Sequence, residues 1–139
     1  MADNNKIPES MSLGIHLFSE KHWFKYSSVI AKNISVDAAI MFGILANLSE
    51  YHLSKRRKTF IENDFWIPIR YEFIQSRVFL TDSRQKRATE ELSRAKFIKI
   101  DYKEGKRKWA KINWETVNSK MSLWYLEISQ EPIENDGFE

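Results

Sequence analysis

Three basic side chains stand close together where the sequence predicts one exposed side of a helix. Arg84, Lys86 and Arg87 follow Thr81-Asp82, a pair typical of a helix start. The side turned away from them carries small and apolar residues, namely Ala88, Leu92 and Ala95. An arginine can donate two hydrogen bonds to O6 and N7 of guanine. We therefore expect Arg84 and Arg87, with Ser83 beside them, to contact base edges in a DNA major groove, and the alternative is a solvated helix face.

A second group of cations follows at the predicted tip of a β-hairpin. Ile98, Ile100 and Tyr102 alternate with polar residues until Glu104-Gly105, where the chain is expected to turn. The three cations beside this turn are Lys106, Arg107 and Lys108. We expect them to contact phosphate more than specific bases, and the alternative is a solvated turn.

The elements that must position these cations follow a recognisable order over residues 65–113. Strand, helix, turn, basic helix, strand, turn and strand succeed one another, an order that predicts a winged helix-turn-helix of the α+β class, mainly helical. Ser35 is the expected N-cap of a long helix through about residue 56, and the run from Ala38 to Ala46 within it is apolar on all sides. Asn113 is the expected cap of an extra C-terminal helix over 114–129.

This order divides the chain into three parts. Residues 1–12 are expected to form a flexible N-terminus, 13–129 a single winged-helix domain with its core at 35–113, and 130–139 an acidic tail. Charge is unevenly distributed, since residues 81–108 hold ten Lys or Arg against five Asp or Glu, whereas residues 127–139 hold five acids and no Lys or Arg. A basic segment of this kind favours a polyanionic partner such as double-stranded DNA.

Composition excludes several other classes of function. The chain has 139 residues and no cysteine, which excludes thiol catalysis, disulfides and cysteine-ligated metal. Its three histidines lack the spacing of metal ligands, and no glycine-rich phosphate loop or nucleophile motif is present. We therefore predict a protein that is not an enzyme and binds no cofactor or metal. The longest apolar run is too short to span a membrane, which predicts a cytoplasmic protein without membrane contact.

The apolar residues also predict a homodimer. The all-round apolar helix and a stripe at Val117, Met121, Trp124 and Ile128 together exceed what one small domain is expected to cover. A two-fold dimer would present two recognition helices to two half-sites. The candidate interface residues are Met41, Leu45, Met121, Trp124 and Ile128.

Three segments resemble one known group of proteins. They are Phe65-Trp66-Ile67-Pro68-Ile69, Leu80-Thr81-Asp82-Ser83-Arg84-Gln85 and Glu91-Leu92-Ser93-Arg94-Ala95-Lys96-Phe97-Ile98. The chain over about residues 23–113 resembles the N-terminal winged-helix domains of replication initiators and replisome organisers from phages and plasmids of low-GC Gram-positive bacteria. The resemblance implies a role in replication initiation of a mobile genetic element, although transcriptional regulators use nearly the same pattern.

Two functions follow from these observations. The first is sequence-specific binding of double-stranded DNA in replication initiation or transcription control. The alternative is a winged helix that serves as a protein-interaction module, such as an antirepressor or inhibitor, with no specific DNA site. A replication or regulatory protein would then be the partner, and the acidic and aromatic ends of the chain would contact it.

Overall fold

Helices dominate the structure, a computed structural model that describes residues 6, 8–18, 25–103 and 107–130. Within these residues the elements are α1 (Glu9–Phe18), α2 (Ser28–Asn33), α3 (Val36–Ser54), α4 (Lys58–Glu62), β1 (Ile67–Pro68), α5 (Tyr71–Val78), α6 (Asp82–Arg94), β2 (Ile98–Lys103), β3 (Arg107–Ile112) and α7 (Trp114–Gln130). The predicted class is therefore confirmed as α+β and mainly helical.

The strands form one small antiparallel sheet in the order β1-β3-β2. Ile98 pairs with Ile112 at one end of the hairpin, and Lys103 pairs with Arg107 at the other. The short strand β1 pairs through Ile67 and Pro68 with the opposite side of β3. Pro68 therefore lies on an edge strand, a position that suits proline because it has no N–H for a second ladder.

Helix α3 forms the centre of the core. The hydroxyl oxygen of Ser35 accepts a hydrogen bond from the backbone N–H of Ala38 at 3.0 Å, which confirms the predicted N-cap. Most of the apolar run is buried, including Ala38, Ala39 and Ile44. Helices α2 and α6 pack on α3, and so do α4 and β1. Several neighbouring elements of the same chain cover α3, which explains why the run from Ala38 to Ala46 is apolar on all sides.

Phe97 is the largest fully buried side chain among the described residues, and helices α3 and α7 cover it. Its ring centroid lies 5.7 Å from that of Phe42 on α3 and 5.7 Å from that of Trp124 on α7. The side-chain oxygen of Asn113 accepts a hydrogen bond from the N–H of Thr116 at 3.3 Å, so the predicted cap of the last helix is present. Helix α7 buries Val117 and continues to Gln130.

The structure corrects the predicted dimer interface. Met41 and Leu45 have no exposed surface and lie in the core of their own chain, so they have no surface to offer a second subunit. Met121 and Trp124 are partly buried against that same core. Ile128 is partly exposed. The apolar surface that predicted a dimer is thus largely covered by intramolecular packing.

The structure also differs from the sequence-based expectations outside the basic helix, and some expected segments lie outside the described residues. Helix α1 begins at Glu9, inside the segment 1–12 that was expected to be flexible. The connection after α3 contains α4, because the side chain of Phe60 is buried. On α5, Phe73 is 42% exposed. The acidic tail lies outside the described residues from position 131 onward, as do residues 1–5 of the N-terminus.

Candidate nucleic-acid interface

The start of α6 is fixed by two local features. The hydroxyl of Thr81 accepts a hydrogen bond from the N–H of Arg84 at 3.4 Å. Gln85 is fully buried, and its side-chain amide donates to the carbonyl of Tyr71 at 3.0 Å and to that of Leu80 at 2.9 Å. These two carbonyls belong to the start of α5 and to the turn after it. Gln85 therefore holds α5 and α6 at a fixed angle.

The end of α6 is a Schellman motif, a hydrogen-bonded helix ending with one left-handed residue. Lys96 has φ 64°, its N–H donates to the carbonyl of Ser93 at 3.0 Å, and the N–H of Phe97 donates to that of Leu92 at 2.9 Å. Leu92 and Phe97 are both fully buried, which supplies the hydrophobic contact that accompanies this motif. The ammonium of Lys120 on α7 also donates a hydrogen bond to the backbone carbonyl of Ala95, the C-cap residue of α6, at 3.1 Å.

One flank of α6 is fixed to the start of α3 by two polar contacts. The guanidinium of Arg84 donates through Nε and Nη2 to the two carboxylate oxygens of Asp37, at 2.9 and 2.7 Å. The hydroxyl of Ser35 donates to Oε1 of Glu91 at 3.0 Å. Arg84 and Glu91 are seven residues apart and so lie on the same flank of the helix. The hydrogen bond from Arg84 holds the pKa of Asp37 below its ordinary value, against the opposing effect of burial.

The structure therefore separates Arg84 from Arg87, which the sequence grouped together. The paired nitrogens of Arg84 are occupied by Asp37, and a bidentate bond to guanine would compete with this ion pair. Arg87 is exposed, and within the described residues its side chain makes no hydrogen bond or ion pair closer than 4.0 Å. Lys86 lies on the opposite flank, where its ammonium is 3.4 Å from the carboxylate of Asp82.

The outer face of α6 is the side opposite its buried residues. The exposed residues at the appropriate helical spacing are Ser83, Arg87, Glu90 and Arg94. Sequence reasoning missed Arg94, although its position seven residues after Arg87 was a usable signal. Glu90 places one negative charge between the two arginines. This face thus presents a hydroxyl, two guanidinium groups and one carboxylate on a helix whose other sides are fixed.

The three cations predicted at the hairpin tip differ in their surroundings. Lys106 lies outside the described residues. Arg107 is exposed at the first position of β3. The ammonium of Lys108 is turned toward α5, where it donates to the hydroxyl of Tyr71 at 3.3 Å and lies 5.9 Å from the ring centroid. Burial, followed by the charge of Asp82, raises the pKa of Tyr71, so its hydroxyl stays protonated.

Tyr102 is a further exposed aromatic side chain on the hairpin, directly opposite Lys108 across the two strands. It is 63% exposed, on the strand face that continues from the core residues Ile98 and Ile100. The sequence pattern indicates only that Tyr102 belongs to a strand with alternating apolar and polar residues. Its exposure adds an aromatic side chain to the surface of the hairpin, opposite Lys108.

Neither a metal site nor a membrane span is found in the part of the chain that the structure describes. No group of three His, Asp or Glu side chains there could hold a metal ion. None of the described helices combines the length and apolar character needed to cross a bilayer. Comparisons with protein-family models, with curated proteins and with solved structures give no match for this chain.

Proposed function

We propose that this protein binds double-stranded DNA as a winged helix-turn-helix, with the outer face of α6 in the major groove. One observation carries the proposal: α6 is held by its buried side, its capped ends and the contacts of Arg84 and Glu91, while Arg87 and Arg94 remain exposed. A helix fixed in this way can present side chains to base edges without reorganising on binding. The proposed activity is binding and not catalysis.

The order of the surrounding elements supports this proposal. Helix α3, strand β1, helices α5 and α6 and the hairpin β2–β3 follow one another as expected for a winged helix, and the third strand lies between the other two. The hairpin packs beside α6 through the turn at Phe97. A hairpin in this position would follow the phosphate backbone next to the groove that α6 occupies.

Individual residues receive different roles in the proposal. Arg87 is the residue assigned to bidentate base contact, with Ser83 and Arg94 next to it on the outer face. Glu90 would accept a hydrogen bond from the amino group of cytosine, which gives the negative charge on this face a role in selection. Arg84 is a positioning residue, because its contact with Asp37 sets how α6 lies on α3.

The hairpin would contribute affinity without sequence preference. Arg107, with Lys106 beside it in the sequence, is assigned to phosphate contact. Lys108 contributes less than the sequence predicted, because its ammonium is already bound to Tyr71. The expected consequence is that Arg107 and Lys106 contribute more to the salt dependence of binding than Lys108 does.

The biological role in the proposal rests on the resemblance to phage and plasmid initiators. Replication initiation and transcription control of a mobile genetic element both need a small protein that recognises a DNA site. The outer face of α6 is proposed to serve the common step, which is recognition of the duplex. A replication or regulatory protein would be the further partner in either role.

A homodimer stays part of the proposal, but through a different surface from the one predicted. Leu123 and Leu126 are 60% and 55% exposed and lie three residues apart on the outward side of α7. A second copy would cover this side and place two α6 helices on half-sites about 34–36 Å apart. Sedimentation of the native chain should then show a dimer at micromolar concentration, and Leu123→Glu with Leu126→Glu should give a monomer. A native chain that sediments only as a monomer, with and without DNA, would remove this part.

Selection from a random duplex library is the experiment that tests the proposal. The purified chain should enrich one sequence and bind it more tightly than a scrambled duplex of the same length at the same salt concentration. Affinity should fall as salt rises, with a slope of about 0.9 per phosphate contact in a logarithmic plot. Failure to enrich any sequence, together with equal binding to all duplexes, would contradict sequence-specific recognition and favour the protein-interaction alternative.

A further inference from the structure

A cavity of about 400 Å³ lies between the end of α3, helices α4 and α5, and the β1–β3 edge of the sheet, and no residue of α6 lines it. Cavities that bind small molecules are typically about 300–1,000 Å³. The aromatic residues that line this one are Tyr51, Phe60, Trp66, Phe73 and Trp109. A planar ring that entered the cavity would therefore meet several aromatic surfaces on which to stack.

Two buried polar atoms at this cavity have no hydrogen-bond partner among the described residues. They are the indole Nε1–H of Trp109, a residue only 8% exposed, and Nδ1 of His52. Burial, together with the nearby charge of Arg57, lowers the pKa of His52, so its imidazole is neutral near pH 7. Buried polar groups in folded proteins are nearly always hydrogen bonded. Both residues line the cavity, and neighbouring protein atoms cover Nε1 and Nδ1 themselves.

The charged residues that line the cavity are all cationic. Arg57, Arg70 and Arg107 contribute to its wall, and no Asp or Glu is among its lining residues in the described part of the chain. Arg57 is held over the ring of Tyr51, 5.3 Å from its centroid, and donates to the tyrosine hydroxyl at 3.4 Å. Arg70 and Arg107 are exposed at their positions. Guanidinium groups around an aromatic cavity favour a carboxylate or phosphate group on the ligand.

We propose that this cavity binds a small aromatic anion, a planar ring joined to a phosphate or carboxylate group. The ring stacks among the aromatic side chains that line the cavity, Trp109 included, and the anionic group faces Arg70 and Arg107. This activity goes beyond DNA binding and does not depend on it, because only Arg107 belongs to both surfaces.

Titration of the full chain, in the absence of DNA, tests the proposal with matched probes. Adenosine 5′-monophosphate carries both a ring and a phosphate, whereas adenosine and ribose 5-phosphate carry one each. Indole-3-acetate, with indole and acetate as its controls, tests the carboxylate in the same way. The readout is the NMR signal of the Trp109 indole N–H, identified by its disappearance in the Trp109→Phe variant.

At least one of the two aromatic anions should shift this signal in a saturable manner, and its two partial probes should bind at least ten-fold more weakly. The anion that binds more tightly identifies the preferred acidic group. The double change Arg70→Ala with Arg107→Ala should weaken binding at least ten-fold. Lys99→Ala removes an exposed positive charge that does not line the cavity, and it should leave the affinity unchanged.

Two results would overturn the proposal. In the first, neither aromatic anion shifts the Trp109 signal at millimolar concentration in the folded native chain. In the second, the double arginine variant binds as tightly as the native chain while its thermal melt is unchanged. Because no DNA is present, either result would leave the proposed DNA recognition untouched, and failure to select a DNA site would leave this proposal untouched.

Discussion

The two exposed sides of α6 carry similar residue types in very different surroundings. On the side next to α3, Arg84 and Glu91 are joined to Asp37 and Ser35 by hydrogen bonds of 2.7 to 3.0 Å. On the outer face, Arg87 is exposed without such a partner among the described residues. The difference shows that one arginine on a basic helix can fix the orientation of the helix while a second arginine, three residues further on, stays exposed.

The buried side of the same helix sets the largest expected effect on stability. Leu92→Ala should lower the free energy of unfolding by about 2–5 kcal/mol, because the side chain is fully buried beneath Phe97. Urea unfolding measures this loss. Glu90→Ala, two residues earlier and exposed, should change stability by no more than about 0.5 kcal/mol. Equal effects of the two changes would contradict the division of α6 into a structural side and an outer face.

Arg87→Ala should reduce discrimination between DNA sequences with little effect on the free energy of unfolding. Loss of a bidentate base contact should reduce discrimination between the selected and scrambled duplexes by about 1–3 kcal/mol. Unfolding in urea should change by no more than about 0.5 kcal/mol, since Arg87 is exposed and acts on Asp37 only through its charge. Lys58→Ala, on the short helix after the far end of α3, is the matched control and should not alter DNA binding. Normal discrimination by Arg87→Ala would remove this residue from base recognition.

The contact between Asp37 and Arg84 predicts a smaller effect with a defined pH dependence. The folded protein lowers the pKa of Asp37 below its ordinary value of 3.8, so the contribution of this carboxylate is fully present above that pH. This contribution to stability is lost as the pH falls through the lowered pKa that Asp37 has in the folded protein. Asp37→Asn should therefore destabilise the protein at pH 7, and the difference from the native chain should shrink at pH 3 and below.

The measurement is urea unfolding of both proteins across that pH range. The second variant, Arg84→Gln, should show the same loss at pH 7, and combining the two changes should add little further loss. Additive losses, or a difference that stays constant from pH 7 to pH 2, would show that the two side chains are not coupled. The effect is modest because half of the Arg84 side chain remains in contact with solvent.

The smallest expected effect is a gain in stability at the end of α6. Lys96 has φ 64°, a region that glycine occupies at little cost, so Lys96→Gly should raise the free energy of unfolding by up to about 1 kcal/mol. Lys96→Ala is the control, because alanine meets the same backbone restriction and should give no gain. A glycine variant less stable than the alanine variant would contradict the role of backbone strain at this position.

Local signals predicted most of the elements. Ser35, Thr81 and Asn113 mark helix starts because their side chains bond to backbone groups only three residues away. The edge position of Pro68 follows in the same way from its missing N–H. Helix α4 was not predicted, because its segment is polar except for residues such as Phe60, whose burial depends on distant packing.

Features that depend on long-range packing could not be predicted. Periodicity showed that Arg84 lies away from the buried side of α6, but it could not show that Asp37, 47 residues earlier, would lie beside that flank. The same limit applies to Lys108 and Tyr71, which are 37 residues apart. The cavity draws its wall from several elements, so no local pattern contained it.

The position of Phe97 has a consequence for the order in which the protein becomes structured during synthesis. Its ring contacts Phe42 and Trp124, so one of its covering residues is made well before it and the other well after it. Until α7 has emerged from the ribosome, Trp124 cannot cover this ring, so part of the apolar surface around Phe97 stays open. Completion of the last helix therefore marks the step at which the nascent chain closes its core, and Trp124 fluorescence would report it.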